Sequence, residues 1–428
     1  MIYNDIEEMI GNTPILRISE AVHMIPNVEL YAKLELANPF GSVKDRVAKE
    51  MLHAIKSEVI AQNKTIVEAS SGNTAKALSI LCSKYKIPFT VFTNRIKIAQ
   101  VRDTLKLLDV KVVELPGSSE CPDPSNPKDV HAVIKDLVNS HPQKYEFTDQ
   151  LFNKNNPKAH ANTGAEIHAD LGDIDYFFAD LGTCGTIRGV GEFLRGAQKS
   201  KPQIMGVITA EGGYVPGGRN ENELFEVGFH DFAFYDGVVK ATTEDSISGM
   251  LELLRQSGVP CGPTTGLIYR ALQQWFRQNP VSQKTKVVFI ACDRFETYVN
   301  YVFRFFPEFL ENNRIENSIS EDELQDIEVV KSSDLDSFKG LIIDFRVPFA
   351  FSMGHIPKSI NIPQFVLEDL IKSGSPFPKS EEILLVCPIG IVSRKIALLC
   401  KQKGYSVKIL SGGIKGYLDY GNKLKVDS

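Results

Sequence analysis

Short, continuously apolar segments alternate with helical patterns through residues 1–310 of the 428-residue chain. Segments 65–69, 89–92, 174–179 and 287–291 are rich in β-branched or aromatic residues, as buried strands are. Strands that are apolar on both faces and separated by helices belong to parallel sheets that helices cover on both sides. The sequence therefore predicts an α/β fold for this region.

Residues 311–327 interrupt this pattern because they are polar and acidic. A second, smaller α/β pattern follows, with predicted strands at 341–344, 383–386 and 407–410. We therefore predict three parts, a large domain over 1–310, a linker over 311–327 and a small domain over 328–428.

The composition argues against several classes of protein. Hydrophobic residues make up 43% and charged residues 24%, which is typical of a globular protein with a large core. A net charge of −5 gives no basic surface for nucleic acid, and no apolar run reaches the ~18 residues that a membrane span needs. Residues 1–8 lack the layout of a secretory signal. Seven scattered cysteines without a CxxC pair favour a reduced, cytoplasmic protein without disulfides or metal.

Lys44 is the first candidate for chemistry. It opens a predicted helix close to Arg46, and positive potential from both the helix and the arginine favours a neutral amine. A neutral, nucleophilic amine is what a lysine needs in order to trap a carbonyl group. An ordinary surface lysine is the alternative interpretation.

Three further loops open predicted helices and are candidates for binding groups. In 70–74, amide N–H groups and hydroxyls make a pocket suited to a carboxylate. In 182–186, small residues let backbone amides close on a phosphate. In 262–266, the hydroxyl of Thr264 could face a ring nitrogen. Each loop taken alone also fits an ordinary helix cap.

Five segments, taken in order, resemble the cysteine synthase/cystathionine β-synthase family of fold type II enzymes, which use pyridoxal phosphate: 11–14, 42–44, 70–74, 182–186 and 262–266. The resemblance covers about residues 1–305 and implies two parallel-sheet subdomains. Segments 211–219 and 292–298 resemble the B-type cysteine synthases in particular.

The resemblance implies a role for each motif. Lys44 would form the internal aldimine and later remove the α-proton, and Asn73 would bond the 3′-oxygen of the cofactor. Thr264 would meet the pyridine nitrogen and leave it unprotonated, which suits β-elimination. The substrate carboxylate would be held by Ser70, Ser71, Gly72, Thr74 and Gln150. The cofactor phosphate would be held by Gly182, Thr183, Cys184, Gly185 and Thr186.

Two positions bear on how closely the family pattern applies. Cys184 stands where the family usually has glycine, so a positive φ there would strain the chain. We expect a tolerated substitution, although the thiol could also lie near the cofactor. The resemblance implies that Arg219 meets a charged substrate, which favours O-phosphoserine over O-acetylserine. Asn220 replaces the second arginine of the family at this loop.

The small domain contains a candidate sulfur carrier. Cys387 ends a predicted strand below a ring of amides and a helix N-terminus, which should favour a thiolate that accepts sulfur as a persulfide. A buried core cysteine is the alternative. Residues 325–425 resemble a single rhodanese domain, with Val392 where the family usually has an arginine that thiosulfate binding would use. We favour an active sulfur carrier over an inert regulatory module.

Together these features predict a pyridoxal phosphate-dependent transferase that performs β-replacement. An O-activated L-serine, O-phosphoserine or O-acetylserine, would pass through an α-aminoacrylate to L-cysteine. Sulfur would come as sulfide or from Cys387, because a fused carrier has a high effective concentration. The alternatives are an amine or cyanide nucleophile, as in 2,3-diaminopropionate-type or cyanoalanine synthases, and a non-enzymatic regulatory protein. The resemblance also implies a homodimer.

Overall fold

The computed structural model describes residues 2–70, 72–93, 98–115, 129–224, 227–306, 327–374, 376–390 and 392–426. The chain forms two compact units, Met1–Leu310 and Glu311–Ser428. The prediction for Ser71 lies outside the described residues, as does the predicted linker apart from Ile327. Within the described ranges, no helix combines the length and the apolar character needed to cross a membrane.

The strands of the larger unit are β1 (Ile15–Ile18), β2 (Val28–Lys33), β3 (Thr65–Ala69), β4 (Phe89–Thr93), β5 (Lys111–Glu114), β6 (Tyr145–Phe147), β7 (Tyr176–Asp180), β8 (Gln203–Thr209), β9 (Gly237–Ala241) and β10 (Thr285–Ile290). Its α-helices are α1 (Glu20–His23), α2 (Lys44–Ala61), α3 (Asn73–Lys84), α4 (Ala99–Leu107), α5 (Val130–Ser140), α6 (Asn155–Leu171), α7 (Gly185–Ala197), α8 (Thr243–Ser257), α9 (Pro263–Gln278) and α10 (Val299–Phe305). Short 3-10 helices span Ile6–Met9, Glu35–Ala37, Glu221–Glu223, Phe232–Phe234 and Phe295–Tyr298.

Two sheets organise this unit. A six-stranded sheet has the order β1-β2-β10-β7-β8-β9 and is parallel except at β1. A four-stranded parallel sheet has the order β5-β4-β3-β6. Phe177, Phe178 and Phe289 are buried in the core of the first sheet, which follows from its apolar strands being covered on both faces. The predicted fold of two parallel-sheet subdomains is confirmed.

The smaller unit is a single parallel sheet. Its strands are β11 (Val329–Val330), β12 (Leu341–Asp344), β13 (Ile360–Asn361), β14 (Glu382–Val386) and β15 (Ser406–Leu410), in the order β11-β15-β14-β12-β13. Its helices are a 3-10 helix at Ser332–Ser337, α11 (Pro348–Ser352), α12 (Gln364–Ser373), α13 (Val392–Gln402) and α14 (Gly413–Asp419). Alternate residues of β14 belong to different core clusters. One cluster contains Ile383 and Leu385, and the other contains Leu384 and Val386. Both faces of the sheet are therefore covered, as predicted for a small α/β domain.

Candidate active site

A cavity of about 230 Å³ lies where β3, β7 and β10 end in the larger unit. Ligands bind at the carboxyl ends of strands in open α/β sheets, because the loops that follow the strands converge there. Most residues predicted from sequence line this cavity, namely Lys44, Ser70, Gly72, Asn73, Thr74, Gln150, Gly182, Thr183, Arg219 and Thr264. Cys184, Gly185 and Thr186 are not among its lining residues, and Cys387 belongs to the other unit.

Lys44 is the first residue of α2, as the sequence predicts. The loop before it is fixed by Asp45, whose carboxylate accepts hydrogen bonds from the amide of Phe40 at 2.6 Å and the hydroxyl of Ser42 at 3.2 Å. Burial raises the pKa of Asp45 to about 7, against the opposing effect of those two hydrogen bonds. The contacts of Asp45 with Phe40 and Ser42 therefore fix the start of α2, including the backbone of Lys44.

The structure corrects the role expected for Arg46. Its guanidinium lies in a buried ion cluster, 2.7 Å from Glu35 Oε2 and 2.7 Å from Glu166 Oε1. Lys33 joins the cluster at 2.7 Å from Glu166 Oε2. Burial opposes ionisation of Glu166, but the Arg46 hydrogen bonds prevail and lower its pKa to about 2. Two carboxylates thus compensate the Arg46 charge, and its role is to anchor the first turn of α2.

The loop predicted to bind a carboxylate lies between β3 and α3. The Ser70 hydroxyl accepts hydrogen bonds from the amides of Gly72 at 3.3 Å and Ala75 at 3.2 Å. Thr74 donates from its hydroxyl to Gln150 Oε1 at 2.6 Å. Gln150, predicted from the family resemblance, is therefore in direct contact with this loop.

Asn73 is held by two residues that follow β10 in the sequence. Its Nδ2 donates to Oδ2 of Asp293 at 2.6 Å, and the Tyr298 hydroxyl donates to the same oxygen. Asp293 and Tyr298 also line the cavity. Neither contact was predicted. The sequence indicated only that residues 292–298 resemble a segment of the B-type cysteine synthases.

The loop predicted to bind phosphate lies between β7 and the N-terminus of α7. A side chain at Gly182 would come within 2.6 Å of the Gly217 carbonyl oxygen, and one at Gly185 within 2.0 Å of Asn156 Oδ1. Thr183 Oγ1 accepts a hydrogen bond from Asn156 Nδ2 at 3.0 Å. Only glycine therefore fits at these two positions, in a loop that leads directly into the N-terminus of α7.

Cys184 has a φ of +58°, so the strain expected from the sequence is present. Its side chain is buried in the core and interacts with the hydroxyl of Tyr235. Burial raises the pKa of the Cys184 thiol to about 12. Because this side chain belongs to the core and not to the cavity lining, the possibility of a thiol beside the cofactor is not supported.

Thr264 and Arg219 occupy another wall of the cavity. The Thr264 hydroxyl donates to the Pro216 carbonyl at 2.7 Å. This hydrogen bond has to break before the hydroxyl can donate to a ring nitrogen. Arg219 donates from Nη1 to the Glu223 carbonyl at 3.1 Å. The backbone amide of Asn220 donates to the Glu223 carboxylate at 2.9 Å in the adjacent turn.

Cys387 directly follows β14 in the smaller unit and is fully buried. The Gly390 amide donates to its sulfur at 3.0 Å, and the sulfur lies 3.5 Å from Ser393 Oγ. The carbonyl of Cys387 accepts from the amide of Ile414, in the first turn of α14, at 2.9 Å. The amide contact at the sulfur was predicted, and the burial also fits the alternative of a core cysteine.

Comparison with known proteins places these sites in families. The family described as pyridoxal-phosphate dependent enzyme matches residues 6–293. The chain belongs to this family. The family described as rhodanese-like domain matches residues 327–420. The resemblance to a pyridoxal phosphate enzyme fused to a rhodanese-like domain is thereby confirmed.

Three relatives specify the similarity further. The chain is 32% identical over 301 residues to a cysteine synthase of Aquifex aeolicus, covering 68% of this chain and 89% of that protein. It is 31% identical over 307 residues to cysteine synthase B of Escherichia coli, covering 69% and 94%. The crystal structure of O-acetylserine sulfhydrylase isoform 3 from Entamoeba histolytica superposes with a TM-score of 0.60 at 26% identity, covering 71% and 92%. The larger unit is thus a pyridoxal phosphate-dependent enzyme of the cysteine synthase type.

The residues of the cavity fit the cofactor of this family. A lysine amine, Gly182 and Thr183 of a glycine-rich loop, and a threonine hydroxyl line one space, and these match an aldehyde, a phosphate and a pyridine ring. A side chain at Gly182 would meet the Gly217 carbonyl oxygen, and both residues line the cavity, so only glycine fits this part of its wall. Among the described residues, no group of three or more His, Cys, Asp and Glu side chains could hold a metal ion.

Sequence reasoning missed several ionisable residues that line the cavity of this enzyme. Asp180 ends β7 and lies 3.6 Å from the sulfur of Cys292, which follows β10. His131, in the first turn of α5, also lines the cavity, and burial lowers its pKa to about 4. The signal that could have found Asp180 and Cys292 is their position at the ends of buried strands, where parallel sheets bind ligands.

Proposed function

We propose that the larger unit catalyses β-replacement on an O-activated L-serine and makes L-cysteine. The observation that carries this proposal is one cavity that joins the amine of Lys44, the loop that follows β3, and Gly182 and Thr183 of the glycine-rich loop before α7. Relatives named as cysteine synthases support cysteine as the product. The most direct test is product analysis by mass spectrometry, with O-phosphoserine or O-acetylserine and sulfide as substrates.

Pyridoxal phosphate, when bound, supplies a carbonyl group for amines and a ring that withdraws electrons from the α-carbon of an amino acid. We assign its carbonyl carbon to Lys44 and its phosphate to the amides and hydroxyls of 182–186. Asn73 would then face the 3′-oxygen of the ring and Thr264 its nitrogen. The same Lys44 amine is assigned as the base that accepts the α-proton, because Lys44 is the one lysine among the described residues that line the cavity.

The substrate carboxylate is assigned to the loop between β3 and α3. Hydrogen bonds from Gly72 and Ala75 to the Ser70 hydroxyl keep this turn in shape, and the Thr74–Gln150 hydrogen bond joins two further residues of the cavity wall. Ser71, which lies outside the described residues, belongs to the same assignment. A loop that is shaped in advance would orient the α-carbon towards Lys44.

Arg219 is assigned to the leaving group. A guanidinium pairs well with a phosphate, and this favours O-phosphoserine over the neutral ester O-acetylserine. Replacing Arg219 with Ala should lower kcat/KM at least tenfold for O-phosphoserine and less than threefold for O-acetylserine. Equal losses in kcat/KM with both esters would show that Arg219 does not bind the leaving group, and O-acetylserine would then remain a substrate.

Sulfur reaches the reaction as sulfide, or as a persulfide on Cys387 from which two equivalents of a thiol reductant release sulfide, regenerating the Cys387 thiol and forming the disulfide of the reductant. The Gly390 amide that donates to the Cys387 sulfur would stabilise a thiolate or a terminal sulfur atom there. Replacing Cys387 with Ser should then slow cysteine formation from a sulfane donor in the presence of a thiol reductant and leave the rate with sulfide unchanged. Cys400, another buried thiol of the smaller unit, provides the matched control, because Cys400→Ser should alter neither rate. Identical behaviour of the two variants would exclude a relay.

The nucleophile defines the alternative functions. An amine would give a 2,3-diaminopropionate-type product, and cyanide would give cyanoalanine. Incubating the enzyme and one serine ester with sulfide, ammonia or cyanide, and comparing product masses, separates the three activities. Absence of any change in the absorption of the bound cofactor with either ester would favour a regulatory protein instead.

Two further expectations remain part of this proposal. A homodimer is expected for an enzyme of this type and is tested by light scattering after size-exclusion chromatography. A cytoplasmic location is favoured by the six free thiols among the described residues, since reduced cysteines persist in reducing compartments. Fractionation of cells that produce the protein tests this expectation.

A further inference from the structure

Residues 292–293 connect three of the loops that form the cofactor cavity. The carbonyl of Cys292 accepts from the amide of Val43, which precedes Lys44, at 2.8 Å. The carbonyl of Asp293 accepts from the amide of Gly262, which precedes Thr264, also at 2.8 Å. The backbone after β10 thus fixes two loops. The side chain of Asp293 is left to contact the third loop, which contains Asn73.

The carboxyl group of Asp293 is directed to Asn73. This side chain is 4% exposed, and its Oδ2 accepts from Asn73 Nδ2 at 2.6 Å and from the Tyr298 hydroxyl. The Asp293 oxygen accepts from Nδ2, so Asn73 turns its NH₂ group to Asp293. The same Nδ2 lies 3.5 Å from the Tyr298 hydroxyl oxygen, so Asp293 and Tyr298 together fix the plane of the amide.

The surroundings of Asp293 are shaped to hold it in place. A side chain at Gly262 would lie 2.3 Å from Asp293 Oδ1, so the turn before α9 leaves room for the carboxyl group. Tyr298 is buried beside it, with 5% of its surface exposed. A carboxyl group that is packed and bonded in this way cannot change rotamer freely, and it transmits that rigidity to Asn73.

We propose that Asp293 is a positioning residue that, with Tyr298, holds the side-chain amide of Asn73 in one orientation towards the cofactor. This inference rests on the proposed function, in which Asn73 bonds the 3′-oxygen of pyridoxal phosphate. Without Asp293 the amide can flip, and it then presents either its oxygen or its NH₂ group to an oxygen atom that requires a donor. The electronic state of the cofactor therefore depends on Asp293, although Asp293 itself is not assigned a contact with it.

The experiment compares the absorption spectrum of the bound cofactor, together with kcat and KM, in the full-length holoenzyme and its variants. Asn73→Ala should shift the absorption band and lower kcat. Asp293→Ala should shift the band in the same direction and lower kcat about tenfold, with KM for the serine ester changed less than twofold. Asp293→Asn keeps an oxygen acceptor for both partners and should restore most of the wild-type spectrum.

Tyr298→Phe tests the same inference in a milder way. It removes one of the two donors to Asp293 and should give a smaller shift in the same direction, which keeps the test valid if Asp293→Ala fails to fold. Tyr301→Phe is the matched control, because this buried hydroxyl donates to the Tyr214 carbonyl at 2.6 Å and should leave the spectrum unchanged.

The possible failures are distinguishable. If Asn73→Ala shifts the band while Asp293→Ala and Tyr298→Phe do not, the positioning role of Asp293 is wrong and the proposed function stands. If Asn73→Ala leaves the spectrum unchanged, the assignment of Asn73 in the proposed function is wrong, and this inference falls with it. A shift in Tyr301→Phe equal to that in Tyr298→Phe would mean that any buried hydroxyl has this effect, which also overturns the inference.

Discussion

The hydroxyl group of Thr74 donates a hydrogen bond of 2.6 Å to Oε1 of Gln150, across two loops that are far apart in the sequence. Gln150 in turn donates from Nε2 to the carbonyl of Ala69, at the end of β3, at 3.1 Å. One side chain therefore joins both ends of the loop assigned to the substrate carboxylate. The shape of that loop depends on Gln150 as much as on its own residues.

Removing this link should weaken substrate binding. Gln150→Ala is expected to raise KM for the serine ester about tenfold, with kcat changed less than threefold, because the anion loop loses its support. Gln150→Glu keeps the acceptor for Thr74 but adds a negative charge beside a carboxylate, so it should raise KM further. Steady-state kinetics with one ester checks both variants. An unchanged KM in Gln150→Ala would show that the loop keeps its shape without this contact.

The strained backbone at Cys184 leads to an unusual order of stabilities. Residues with a Cβ atom pay about 1 kcal/mol for a positive φ, and glycine does not. Cys184→Ala keeps the strain and loses the contact with Tyr235, whereas Cys184→Gly loses the contact and relieves the strain. The glycine variant should therefore be more stable than the alanine variant by about 1 kcal/mol in urea unfolding. The reverse order would indicate that packing of the side chain outweighs the strain.

Glu68 should make stability depend on pH. Its carboxyl group is fully buried in β3 and accepts from the amide of Ala69 at 3.0 Å and from the hydroxyl of Thr148. Burial raises its pKa from 4.5 to about 8. Below the pKa that Glu68 has in the unfolded chain, its carboxyl group is protonated in both the folded and the unfolded state. The contribution of Glu68 to the free energy of unfolding is then fully present. As the pH rises, the unfolded chain loses its proton first, so the free energy of unfolding should fall towards about pH 8.

Glu68→Gln removes this titration and isolates its contribution. The amide keeps an acceptor for Ala69 and cannot ionise, so the decline in stability between about pH 5 and pH 8 should be smaller than in the wild type by roughly 1–3 kcal/mol. Urea unfolding at a series of pH values measures the difference. Parallel pH profiles for the two proteins would show that Glu68 is ionised in the folded state.

The buried ion cluster around Arg46 should be sensitive to the loss of one partner. Arg46→Gln leaves the fully buried Glu35 carboxylate without its cation, and breaking a buried pair in this way costs about 3–5 kcal/mol. Arg17→Gln is the control, because Arg17 is exposed and lies 3.6 Å from Glu29, and its loss should cost less than about 1 kcal/mol. Equal losses in urea unfolding would mean that the buried cluster contributes no more than a surface pair.

The sequence predicted the parallel sheets and most of the cavity because these features are local. Five consecutive residues, Thr65–Ala69, are enough to indicate a buried strand, and the five residues that follow indicate the start of a helix. The order of such loops along the chain then identified a family. Lys44, Thr74 and Thr183 could be named for this reason before any contact was known.

What the sequence did not predict depends on contacts between distant parts of the chain. Asn73 and Asp293 are 220 residues apart, and Arg46 and Glu166 are 120 residues apart. No local pattern shows that two such side chains meet. The direction of the Cys184 side chain is a similar case, because it depends on where Tyr235 packs in the folded core.

Lys44 is the residue that we propose to carry pyridoxal phosphate. Reduction of the holoenzyme with borohydride, followed by proteolysis and mass spectrometry, tests this proposal directly, since reduction makes the bond between the cofactor and its lysine permanent. We expect the added mass of the reduced cofactor on the peptide that contains Lys44, and its loss in Lys44→Ala. Attachment to a peptide from another part of the chain, or the absence of any modified peptide, would show that Lys44 does not carry the cofactor.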